Sequence, residues 1–435
     1  MSVNSSKSSI FLKLIFVGFL ILILLIPLMK VEQLIYERQA RHSSVIQEVS
    51  ERWGYAQTMT GPMLTVPYQT FWKDDKDKVH TQLHNAQFLP DELTIVGDIV
   101  PQIRSRGIFE AVVYRVNLQV QGSFPSPDLS HWKIDPAHIL WEDAIFSLGI
   151  SDTRGIRDAL FLQWDKQPVE FLSGAGNNGF FDKGLHVRLP QLANDTGKSH
   201  QFSLTVSLNG NHQLQFTPVG KKTIVTISSP WPDPSFDGAF LPIHHEITPT
   251  NFQAKWEISH LGRSYPQYWT TQNKPNIDFY ETNFGVKLLL LADFYQKTER
   301  SIKYGILFIL LTFTTFFLFE VLNPIRIHPL QYLMVGSALC LFYVLLLSIS
   351  EHLGFQNAYL IASVNTIGLI TAYATKALQS LARASIMGVI LLGLYIYLYV
   401  LLHLQDYALL FGAIGLFLIL ALVMYITRNI DWYTT

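Results

Sequence analysis

The sequence predicts an integral membrane protein in three parts: a single N-terminal signal-anchor helix, a large β-rich (α+β) domain, and a C-terminal five-helix transmembrane bundle. Three observations carry that prediction. An apolar segment occupies 10–29; a second starts at 302 and is followed by four more up to 427; the long stretch between them is polar and alternates like strands. At 435 residues the chain is too long for one compact domain, so more than one unit is expected.

The overall 49% hydrophobic and 15% charged composition hides two populations. Residues 30–300 resemble an ordinary soluble domain, whereas 302–427 hold only a handful of charges. A net charge of −1 provides no global field for nucleic acid or an anionic partner. The lone cysteine, Cys340, lies in an apolar run, which excludes a disulfide framework and a thiolate metal site.

The first landmark is 10–29, preceded by Lys7, interrupted by Lys13 and ending near Pro27 and Lys30. It is longer than a cleavable signal core and lacks a small-x-small cleavage site, so residues 1–30 read as a cytoplasmic N-terminus and uncleaved anchor. Beyond it, Val31, Leu34, Ile35, Val45, Ile46, Val49 and Trp53 recur near helical spacing. A helix should continue there, with a break at His42-Ser43-Ser44.

The middle, 31–300, reads as one antiparallel β-rich domain with some helix. In 112–124, Val112, Tyr114, Val116, Leu118 and Val120 share one face, and Arg115, Asn117, Gln119 and Gln121 share the other. Phe202, Leu204, Val206 and Leu208 repeat the alternation, and Asn209-Gly210-Asn211 then has the chemistry of a hairpin turn before Leu214 and Phe216. Strands are also expected at 63–71, 223–227 and 252–258.

Several patterns in this domain invite a chemical reading. Gly174-Ala175-Gly176-Asn177-Asn178-Gly179 has the letters of a dinucleotide fingerprint. No helical period follows to receive a pyrophosphate, so a surface loop is favoured. His244-His245-Glu246, and His80 with His84, carry metal-ligand residue types but lie in extended, proline-flanked sequence, so histidines on strand surfaces are favoured over a metal centre. No Gly-x-Ser-x-Gly elbow occurs. The cluster 152–158, with Asp152, Arg154 and Arg157, reads as an Asp–Arg corner that orients a turn in preference to a ligand site. Asn194-Asp195-Thr196 is a glycosylation sequon by letters only. No catalytic, cofactor-binding or metal-ligating set emerges.

The bundle, 301–427, opens at 302–322, whose only formal charges are Lys303 and Glu320. At about 1.5 Å per residue this crosses a hydrocarbon core of roughly 30 Å, and Asn323-Pro324 stops it. Further runs lie at 332–349, 359–375, 385–402 and 408–427, and short connections make neighbours antiparallel. Arg326, Lys376, Arg383 and Arg428 fall in the first connection, the third and the tail (428–435). The second connection, with Glu351 and His352, and the fourth, with His403 and Asp406, contain no Lys or Arg. By the positive-inside rule both termini are cytoplasmic and 31–300 is exported. Glu320 should lie at the membrane interface, and Asn365, with Thr366, should hydrogen-bond across helices near mid-membrane.

Taken together, Ser-Asp-Thr-Arg-Gly-Ile (151–156), Trp-Pro-Asp-Pro-Ser-Phe-Asp-Gly-Ala-Phe-Leu-Pro (231–242), Phe-Phe-Leu-Phe-Glu (316–320), His-Pro-Leu-Gln-Tyr-Leu-Met-Val-Gly (328–336), Ser-Glu-His-Leu-Gly-Phe (350–355) and Thr-Arg-Asn-Ile-Asp-Trp-Tyr (427–433) resemble the CreD inner-membrane family in order and spacing. The resemblance runs nearly end to end. It implies an inner-membrane location, a periplasmic middle domain, and a link to envelope integrity and the β-lactam stress response, with no catalytic residues to carry over. The expected function is therefore non-enzymatic. The chain would sit in a lipid bilayer and contact an envelope protein or lipid through its periplasmic domain; a transport or export component is the alternative. The polar residues to follow are Asp152, Arg154, Arg157, Glu320, Glu351, His352 and Asn365.

Overall fold

The computed structural model describes residues 4–428 apart from 177–178, 195–196, 274, 276–277, 290–293, 324 and 405–406, with backbone alone for 4–12, 194 and 409. The sequon at 194–196 and the tail motif beyond 428 thus lie largely outside the described residues. The chain divides into two compact units. One comprises Met1–His42 with Leu291–Thr435, the other Ser43–Leu290.

Helix α1 (Asn4–Trp53) runs unbroken, so the interruption expected at His42-Ser43-Ser44 is absent. In the second unit the strands are β1 (Gln57–Lys73), β2 (Val79–Phe88), β3 (Glu92–Arg106), β4 (Phe109–Phe124), β5 (Ile145–Ile150) and β6 (Phe161–Trp164). Next come β7 (Gln167–Glu170), β8 (Leu172–Ser173), β9 (Gly184–Arg188), β10 (His200–Asn211), β11 (Gln213–Phe216) and β12 (Lys222–Ser229). The last are β13 (Pro234–Gly238), β14 (His244–Ile247), β15 (Phe252–Ser259), β16 (Tyr268–Thr270) and β17 (Phe284–Leu288).

Among the described residues these strands form two sheets. The eight-stranded sheet runs β14-β15-β12-β3-β4-β10-β6-β7. The nine-stranded sheet runs β13-β17-β11-β1-β5-β9-β8, with β2 also on β1 and β16 on β2. Their inner faces share one apolar core: Phe146 of β5 meets Phe124, Trp164 and Phe202 of the other sheet at 6.1, 6.1 and 5.5 Å. Period-two alternation produces this layering, since one face of each strand must leave water. Val116, Leu118 and Val120 are buried while Arg115, Asn117, Gln119 and Gln121 are exposed, as the pattern of 112–124 predicts.

Asn209-Gly210-Asn211 does not make the expected hairpin. β10 pairs with β4 through Asn211, and after His212 the chain enters β11 in the other sheet, parallel to β1. The glycine serves packing instead. A Cβ at Gly210 would lie 2.4 Å from the Tyr114 hydroxyl, which donates to the Gln213 carbonyl at 2.7 Å.

The other unit is helical. After α2 (Phe294–Lys303) and α3 (Gly305–Leu322) come α4 (Pro329–Ala377), α5 (Leu381–His403) and α6 (Ala408–Thr427). Among the described residues five helices are long and apolar enough to cross a membrane: α1 and α3–α6. The 328–331 stretch is a start signal. The His328 ring accepts from Leu330 N at 3.2 Å, Gln331 reaches back to His328 N at 2.9 Å, and Pro329 begins the helix.

α4 is really two helices. Gly354 holds φ 73° and ψ 165° within it, a conformation essentially confined to glycine. Across that point Phe342 and Tyr359 bring their rings to 5.7 Å, whereas a straight helix would hold them roughly 25 Å apart. The chain therefore reverses at Gly354. The loop expected around 350–358 is absent, and Glu351 and His352 are helical instead. α1 packs on the first half of α4 where Gly336 admits the Leu24 side chain.

Candidate functional site

Asp152 and Arg154 form the corner that their spacing suggests. Asp152 caps a short 3-10 turn (Thr153–Gly155) with its side chain, accepting from Arg154 N at 3.3 Å. Its carboxylate also accepts from Tyr55 N at 3.1 Å and from Arg154 Nε and Nη2 at 2.9 and 3.0 Å. Burial works against its charge, but the Arg154 guanidinium and the two backbone N–H groups outweigh it and hold the pKa below the usual carboxylate range. Gln57 completes the corner, donating to the Asp152 and Asn209 carbonyls at 3.0 and 2.9 Å. Arg157 takes no part through its side chain, which is exposed; its backbone N–H donates to Ser207 O at 3.3 Å. Every acceptor face of Asp152 is engaged, so the corner is a clasp joining the start of β1 to the end of β5.

Glu320 sits at the end of α3, largely buried. It pairs with Lys13 of α1 and accepts from Ile327 N at 3.1 Å and the Tyr332 hydroxyl at 3.3 Å. Glu351, equally buried, accepts from the Tyr295 hydroxyl of α2 at 3.1 Å and lies 3.9 Å from Arg38 Nε of α1. Each carboxylate thus joins helices distant in sequence. His352, one residue on, is exposed.

Asn365 departs from expectation. It is exposed on its helix, and its amide donates to Ile361 O one turn back at 2.7 Å, not across to a neighbour. A short polar side chain on an outward face satisfies itself on the nearest backbone carbonyl. The buried neighbour is Thr366.

The other patterns resolve into ordinary structure. His244 and His245 lie exposed on edge strand β14. His80 bonds Asp74 at 2.9 Å and His84 bonds Thr70 at 2.9 Å. Among the described residues no group of three or more His, Cys, Asp or Glu is placed to hold a metal ion. In the glycine-rich stretch Asn177 and Asn178 lie outside the described residues. Its flanks lie between β8 and β9, and none of the described residues there is helical.

Sequence reasoning missed four partners: Lys13, Arg38, Tyr295 and Tyr332. Lys13 carried a signal, being a charge inside an apolar run, which demands a partner. It also missed Arg263, whose buried guanidinium donates to the Tyr265 and Val219 carbonyls at 2.6 and 3.2 Å. Burial lowers that group to about 10.

The chain is similar to known proteins over nearly its full length. The sequence profile of the family described as inner membrane protein CreD matches residues 9–433. Inner membrane protein CreD of Escherichia coli (strain K12) is 32% identical over 433 residues, covering 98% of this chain and 94% of that protein. With five membrane-capable helices and a β-sandwich unit already in view, the match assigns the chain: it belongs to the CreD family of multi-pass inner-membrane proteins.

Proposed function

We propose that this protein helps maintain the cell envelope, or its response to β-lactam stress, by holding a periplasmic binding domain on an inner-membrane bundle. The observation that carries the reading is the pairing, in a CreD-family chain, of membrane-capable helices with a separately folded β-sandwich, 43–290. The chemistry favours binding over catalysis, because the most suggestive carboxylate, Asp152, is wholly engaged in a clasp.

The orientation rests on charge and parity. The reversal at Gly354 supports six crossings: α1, α3, the two halves of α4, α5 and α6. An even number returns the C-terminus to the side of the N-terminus. Arg326, Lys376, Arg383 and Arg428 then share the cytoplasmic side, opposite Glu351, His352 and His403. Asn365, the polar side chain that a transport pathway near mid-membrane would use, donates to its own helix, so no particular contact favours the transport alternative.

Photo-crosslinking tests the binding role. A crosslinker installed at exposed positions of 43–290 in living cells should capture the same envelope component under β-lactam stress in repeated preparations, and the deletion strain should show an envelope defect that the full chain restores. Absence of any reproducible adduct, with restoration by the helical unit alone, would overturn the proposal.

A further inference from the structure

The helical unit carries a groove of about 390 Å³ between the second half of α4 (355–377) and α5, within the range of roughly 300–1,000 Å³ that holds small ligands. Its lining is graded along its length. Near the Gly354 reversal it presents Gln356, Asn357 and Tyr399. Farther along α4 and back along α5 it presents Val364, Ile367 and Leu392.

The polar atoms at the deeper positions are already used. Ser363 donates to Tyr359 O at 2.7 Å, and the Tyr359 hydroxyl donates to Tyr395 O at 2.7 Å. The lip differs: among the described residues the Gln356 amide and the Tyr399 hydroxyl make no hydrogen bond, and Asn357 uses one amide N–H, on Leu353 O at 3.2 Å. The floor is thus apolar in effect, while the lip offers uncommitted donors.

Scale and charge identify the occupant. From Gln356 to Ile367 the helix rises about 16 Å, close to half of a hydrocarbon core of roughly 30 Å. A groove that starts polar and stays apolar over half a bilayer matches one leaflet's lipid. At the lip end, Lys297 of α2 lies 5.9 Å from the Phe355 ring. Donors with a cation nearby suit an anionic phosphate.

We infer that this groove binds one anionic phospholipid, its phosphate at Gln356, Asn357 and Tyr399 and one acyl chain along Val364, Ile367 and Leu392. The inference needs the membrane setting of the family and not the orientation proposed above. A second groove, among α3, α5 and α6, provides the contrast. Its Thr314 and Thr315 hydroxyls donate to their own helix at 2.8 and 2.8 Å, leaving it apolar from end to end.

Native mass spectrometry of the full chain, stripped of lipid in neutral detergent, tests this with phosphatidylglycerol, a diacylglycerol of the same chains, and inorganic phosphate. Phosphatidylglycerol should bind about tenfold tighter than diacylglycerol, the scale of one or two hydrogen bonds, and phosphate alone should not be retained. Tyr399→Phe with Gln356→Leu should erase that preference while diacylglycerol binding persists, which separates headgroup recognition from misfolding. Ile367→Trp should weaken both lipids, and Ile390→Trp in the apolar groove should leave the preference intact. Equal binding of the two lipids to the unaltered chain, retention of phosphate alone, indifference to Ile367→Trp, or a second copy of the chain crosslinked into the groove after stripping would each overturn the inference.

Discussion

In the β-sandwich, Arg263 donates to backbone carbonyls of residues 219 and 265, and Gln57 donates to those of residues 152 and 209. In the bundle, Glu320 pairs with Lys13 and Tyr332, and Glu351 with Tyr295 and Arg38. The contrast follows from the supply of free backbone groups. A sandwich has sheet edges and turns whose carbonyls and N–H groups need partners, so a buried polar side chain can serve as a clasp on the main chain. A helix in a membrane keeps its backbone N–H groups to itself, so a buried carboxylate meets one only beyond a helix end, as Glu320 does at Ile327, and otherwise relies on side chains. Losing a partner therefore exposes the main chain in one unit and strands a charge in the other.

The sharpest way to break this comparison is Arg263→Met. It would leave the Val219 and Tyr265 carbonyls buried without a donor, at about 1–3 kcal/mol each, and equilibrium denaturation should show the sandwich less stable by about 3 kcal/mol or more. In the bundle, Glu320→Leu should cost about 2 kcal/mol by stranding Lys13. The double change Lys13→Met/Glu320→Leu should recover most of that, because the pair acts as a unit; steric trapping in bicelles measures it. Two additive losses would show that the contact between the two side chains contributes little.

Gly354→Ala sharpens the account of the reversal. No atom would touch the added Cβ, so backbone strain at φ 73° is the whole cost, about 1–3 kcal/mol. The smallest expected effect is an acid limb. The Asp152 carboxyl has a pKa lower in the folded chain than in the unfolded one. Its contribution is complete above the ordinary carboxylate range near 4 and is lost as pH falls through the lowered value. Asp152→Asn should flatten the stability profile of the sandwich over that acid range.

How much of this was legible in the sequence depended on distance along the chain. The β4 and β10 alternation was readable because burial on one side of a sheet imposes a two-residue period locally. So was the Asp152–Arg154 corner, where two residues suffice. The Asn209-Gly210-Asn211 turn misled because glycine there accommodates Tyr114, a packing reason that leaves the same letters as a hairpin. Glu351 and His352 looked like loop residues since polarity alone marked them, yet both are helical and Gly354 alone makes the turn. Glu320 with Lys13 was out of reach, as no local pattern brings together positions so far apart.

Cysteine accessibility tests the central claim, that six crossings place the β-sandwich and the Gly354 reversal on one side and the C-terminus on the other. In a Cys340→Ser background, single cysteines at the exposed positions Ile108, His352 and Arg428 are treated in intact spheroplasts with a membrane-impermeant maleimide. The account predicts labelling at positions 108 and 352, and labelling at 428 only after the membrane is opened. Labelling of 428 in sealed spheroplasts, or protection of 352 while 108 reacts, would contradict it.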